Sequence, residues 1–171
     1  MIAAPRRPAR VVALMLAVAG ASASTSCIDP VHSDAVAALG SETAGVGRGP
    51  RHRPGQPCLT CHGGMGPASP EFSVAGTVYT ARDGAAPLGG VTVAVTDARN
   101  ETRLLVSNDA GNFYIAAANW APVTPLSVQL QYGGKTKVMK SHIGGTGACA
   151  VCHYGADNQP THMPPVFMSD K

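Results

Sequence analysis

The sequence contains no H-E-x-x-H, no G-x-S-x-G and no phosphate-binding loop, so zinc-peptidase, serine-hydrolase and nucleotide-hydrolysing chemistry have no residues to carry them. Charged residues are sparse at 13%, and the formal charge of +3 is concentrated at one end, because Arg6, Arg7 and Arg10 fall within the first ten residues. The remaining ten basic residues balance the ten acidic ones. No surface of one sign is left to attract nucleic acid or an anionic membrane. Long apolar runs are also missing, and the run at residues 11–19 (VVALMLAVA) is too short to cross about 30 Å of hydrocarbon as a helix. Aromatic residues make up 5%, with one tryptophan. Glycine and proline are abundant, 20 and 14 of 171 residues, which argues for many turns and against a helical bundle. The length suits one compact domain with tails.

The basic start, the apolar run and the small residues that follow read as a signal peptide over residues 1–26. Ala21-Ser-Ala23 offers a signal-peptidase site, whereas Ser24-Thr-Ser-Cys27 resembles a bacterial lipoprotein box in which Cys27 would carry the lipid. Ser24 stands where that box usually has an aliphatic residue. Residues 27–57 mix small, polar and charged residues without periodicity and read as a flexible tether.

Four of the five cysteines form two C-x-x-C pairs, each followed by histidine: Cys58-Leu-Thr-Cys61-His62 and Cys149-Ala-Val-Cys152-His153. C-x-x-C-H is the attachment signature of covalent haem, because two thiols held by a two-residue spacer can add across the two vinyl groups of one macrocycle. The adjacent imidazole then falls beneath the iron as proximal ligand. Zinc ribbons would place their cysteine pairs roughly 12–20 residues apart, far closer than these two pairs, and would leave both histidines unexplained. Disulfides are a further alternative in an oxidising compartment, and a thioredoxin-like motif would need a βαβ context that neither pair has. The expected cofactors are two covalent c-type haems. On the two pentapeptides and the leader, the chain resembles a small dihaem c-type cytochrome of the bacterial cell envelope. That resemblance implies an electron carrier rather than an enzyme, exported to the periplasm or held as a lipoprotein at the outer membrane or cell surface, with other redox proteins as partners. The alternative is an exported docking or adhesion module whose cysteine pairs are structural.

Between the two motifs the pattern changes to period two. Val91, Val93 and Val95 alternate with Thr92 and Ala94 and are expected to face a core. Similar runs at 72–80, 102–107, 112–116, 126–132 and 135–140 are separated by turn clusters, among them Gly133-Gly134 as a two-residue hairpin turn. The expected fold is mainly β, an Ig-like or prealbumin-like antiparallel β-sandwich over residues 71–140. Irregular haem-binding segments at 58–70 and 141–171 should flank it. Gly76-Thr-Val78, Pro87-Leu88 with Gly90-Val91-x-Val93-x-Val95, and Asp109-Ala-Gly111-Asn-Phe113 resemble the carboxypeptidase-regulatory-like, or transthyretin-like, module. The resemblance implies scaffold or docking rather than hydrolysis.

A six-coordinate haem needs a second axial ligand, histidine or methionine. His142, seven residues before Cys149, and His162, in the proline-rich tail, are the favoured distal ligands, with Met139 and Met163 behind them. With several candidates for the sixth position, an open iron site for peroxidase chemistry is disfavoured. His52 lies in the basic segment Arg48-Gly-Pro-Arg51-His-Arg53 and reads as solvated, with its arginines available to haem propionates.

Overall fold

The structure, a computed structural model, describes residues 29–42, 44–153 and 163–169. It is mainly β, with one antiparallel sheet and one mixed sheet sharing one core, as in a β-sandwich. Six strands occupy the stretch read as strands: β1 (Phe72–Ala81), β2 (Thr92–Thr96), β3 (Thr102–Val106), β4 (Asn112–Ala116), β5 (Ser127–Tyr132) and β6 (Lys135–Val138). Two more follow, β7 (Gly147–Ala148) and β8 (Val166–Ser169). One sheet has the order β3-β2-β5-β6; the other has β4-β1-β7, with β8 also paired to β1. Val91, Val93 and Val95 are fully buried, as their alternation requires, and meet Val74 and Val78 of β1 and Leu126 and Leu130 from the β5 region. The β5–β6 hairpin turns at Gly133 and Gly134, whose φ of 55° and 76° both lie in the left-handed region, the combination a tight two-residue turn demands.

The sandwich does not end at residue 140. β7 and β8 both add in parallel to the same edge of β1, through Val74↔Gly147 and Ala75↔Ala148 and then Val78↔Val166. The second C-x-x-C-H motif lies in the excursion between them. Its segment is thus part of the sheet rather than an appendage, because β1 is a central strand whose second edge needs partners.

The described part of residues 27–57, expected as tether, carries helix α1 (Pro30–Ala38) and a bonded loop. Asp29 accepts from the Val31 N–H at 3.0 Å and Pro30 opens the first turn, a start signal that the small, polar composition concealed. Arg53 donates to the carbonyls of Leu39 and Gly40 at the other end of the helix, at 3.3 and 2.7 Å. The loop then lies on the outward face of the β1–β4 pair: Asn112 donates to the carbonyls of Pro50 and His52, and the Gly55 N–H donates to Thr77. The leader and Cys27 lie outside the described residues, as does His162. No helix among the described residues is long and apolar enough to cross a membrane.

Candidate functional site

Each C-x-x-C-H motif forms a single helical turn. In the first, helix α2 (Leu59–His62), the His62 N–H donates to the Cys58 carbonyl at 2.8 Å; in the second, the 3-10 turn Cys149–Val151, the His153 N–H donates to the Cys149 carbonyl at 2.9 Å. A helical turn brings positions i, i+3 and i+4 to one side. Both thiols and the imidazole of each motif are thereby displayed together.

The two turns are closed in the same way. His62 Nδ1 donates to the carbonyl of Pro70, and His153 Nδ1 to the carbonyl of Pro164, both at 2.7 Å. The Cys61 carbonyl accepts from the Ala68 N–H at 2.9 Å, and the Cys152 carbonyl from the Met163 N–H at 3.2 Å. Pro70 stands two residues before β1 and Pro164 two residues before β8, so each motif histidine is tied to the chain entering one of two neighbouring parallel strands. A carbonyl oxygen can only accept, so in both histidines Nδ1 carries a proton and, in the neutral ring, Nε2 has the lone pair. That is the tautomer of a metal-binding imidazole oriented by a backbone acceptor.

Each motif opens on its own cavity. The first, about 690 Å³, is lined by Cys58, Cys61, His62, His52, Phe72 and Tyr114, among others. The second, about 390 Å³, takes in Cys149, Cys152 and His153 together with Met139, His142 and Met163. Both volumes fall in the roughly 300–1,000 Å³ range of cofactor pockets. Phe113, buried on β4, lines both cavities and stands between the motifs. Gly76, opposite Phe113 on β1, makes the approach possible: a Cβ there would lie 2.8 Å from Phe113 Cζ and 2.8 and 2.9 Å from Cys149 Cβ and Sγ.

Burial pushes the Cys149 thiol up to about 12, and the neighbouring Cys58 and Cys152 add to the rise. Cys58 is raised by burial as well, with Cys61 contributing. These are protonated thiols rather than activated thiolates, which disfavours a cysteine nucleophile. All four described cysteines are free. Among the described residues no three His, Cys, Asp or Glu side chains converge as a metal cage, whereas structural zinc needs four ligands about one point. Two thiols and one imidazole per motif, each beside a cavity and with Nδ1 bound to a backbone carbonyl so that Nε2 is left to bind a metal, do fit a covalently held haem, which needs no such convergence.

The other sequence-selected residues divide unevenly. His142, Met139 and Met163 share the second cavity with His153: the chain after β6 brings Met139 and His142 there beside β5, through Met139 N–H to Val128 O and the Leu126–Ile143 bridge, and Met163 arrives before β8, its N–H donating to the Cys152 carbonyl. Met139 also packs against the hydrophobic core, and Met163 is 45% exposed. None of the three reaches the first cavity. His52 does, half-buried rather than solvated, with its ring centre 5.8 Å from that of His62. Its flanking arginines are engaged by protein groups: Arg51 with Asp109 at 2.5 Å, and Arg53 with the end of α1 and Gln56. A tertiary arrangement assembles this corner, so only the presence of a histidine near Cys58 hinted at it in the sequence. His62 further stacks on Phe72 at 4.2 Å, and Phe72 on Tyr114 at 4.5 Å. No family model, curated protein or solved structure matches the chain.

Proposed function

We propose that the chain is an exported dihaem c-type cytochrome that carries electrons in the bacterial envelope. One haem is held by thioether bonds to Cys58 and Cys61 with His62 as proximal ligand, the other by Cys149 and Cys152 with His153. The observation that carries this reading is the repeated histidine arrangement, Nδ1 bound to a proline carbonyl and Nε2 turned into a ligand tautomer, in both motifs. A haem supplies one-electron chemistry when bound; the chain's own part is to orient the imidazoles, wall the cavities with apolar side chains and keep the motifs on either side of Phe113. His142 is the preferred distal ligand of the second site, with Met139 and Met163 behind it, because all three line that cavity. The sandwich is the Ig-like or prealbumin-like scaffold of these sites, the leader directs export, and Cys27 is the point of lipid attachment. Redox proteins of the envelope are the partners, and no substrate turnover is assigned.

The test is expression of the whole gene in a bacterial periplasm with cytochrome c maturation functions. The expected product keeps its haem through denaturing electrophoresis and has the mass of two added haems. A colourless, correctly exported protein with zinc or disulfides at the cysteine pairs would instead support a docking module and overturn the cytochrome reading.

A further inference from the structure

The first cavity supplies a ligand that His142, which lines the second cavity, does not provide. We propose that His52, through Nε2, is the second axial ligand of the group held by Cys58, Cys61 and His62. This rests on the haem reading above. Two imidazoles on opposite sides of one metal ion hold their ring centres roughly 6 Å apart, since each metal–nitrogen bond is about 2 Å and each nitrogen stands about 1 Å from its ring centre. The His52 and His62 rings are 5.8 Å apart with planes 41° to one another. His52 Nδ1 donates to the Gly49 carbonyl, so in the neutral ring the lone pair is on Nε2, as in His62. Its backbone is held from the sheet: Asn112, 6% exposed, donates to the His52 carbonyl at 3.1 Å and to that of Pro50 at 3.2 Å, while its own Oδ1 accepts from Thr77 at 2.7 Å. Among the described residues, no other histidine besides His62, and no methionine, lines this cavity. His32 and Met65 line a separate cleft.

The experiment uses the full-length, matured protein. In His52→Ala both haems should remain covalently attached by mass, while one of the two, half of the absorbance, changes from low-spin to high-spin; added imidazole should restore it. His52→Met should keep that haem six-coordinate and raise its potential, since methionine ligation raises potentials, leaving the other haem's potential in place. His32→Ala serves as the control with an unchanged spectrum. Two attached haems that both stay low-spin in His52→Ala, or unchanged potentials in His52→Met, would overturn the assignment of His52 while leaving the cytochrome reading intact. A wild-type protein that takes up no haem under maturation would overturn both.

Discussion

At the scale of single residues, Gly76 and Asp97 show how much one position can decide. Gly76 lies where a methyl group would press on Cys149 and Phe113 at under 3 Å, and these neighbours belong to a sheet and a buried turn that cannot withdraw freely. Gly76→Ala should therefore destabilise the fold by about 1–3 kcal/mol, as overpacking does, and lower the yield of attachment at Cys149 and Cys152 more than at Cys58 and Cys61. Denaturant unfolding and peptide mass mapping would check the two effects. Burial alone would push the Asp97 carboxyl up, but the backbone N–H groups of Val123, Glu101 and Arg99 and the Arg99 side chain hold it below the ordinary carboxylate range. A group with a lowered folded-state pKa contributes stability that is complete above its unfolded value, about 3.9 for Asp, and is lost as the pH falls through the folded value. Melting temperature should fall as the pH drops below about 4. Asp97→Asn should lower it at neutral pH and flatten that acid dependence.

At the scale of elements, the strands were the most legible part of the chain. The alternation at Val91, Val93 and Val95 is a local property of the pleat, and Gly133-Gly134 states its turn in two residues, so both could be read without knowing any partner. Because both glycines have positive φ, replacing either by alanine should destabilise by about 1 kcal/mol, measurable as a shift in the unfolding midpoint. Leu126, 1% exposed at the start of the β5 region, should lose about 2–5 kcal/mol on truncation to alanine. Helix α1, β7 and β8 were not legible in the same way. β7 has two residues and β8 four, too few for a periodic signal, and they are strands only because β1 offers an open edge. Helix α1 buries no side chain fully, so it has no apolar face to announce it.

At the scale of the whole molecule, Phe113 decides the relation between the two motifs. It belongs to the core, at 3% exposed, and also lines both cavities. Phe113→Ala should cost about 3–5 kcal/mol and join the two cavities, which an unfolding titration and a cavity-binding hydrophobic probe would detect together. Nearness of the motifs depends on the return of the chain between sheets: β6 lies in the opposite sheet, and the chain reaches the first sheet again through β7. By itself the sequence determined the local chemistry, namely two C-x-x-C-H motifs, the alternating strands and the tight turns, because each depends on residues within a few positions of one another; that the motifs form helical turns rather than irregular segments came from the structure. Tertiary structure alone decided that two proline carbonyls orient the motif histidines, that Gly76 admits Cys149 beside Phe113, and that His52 faces His62. Those placements depend on which strand edges remain to be paired and which backbone groups remain to be satisfied after the sheets form, and no local pattern encodes either.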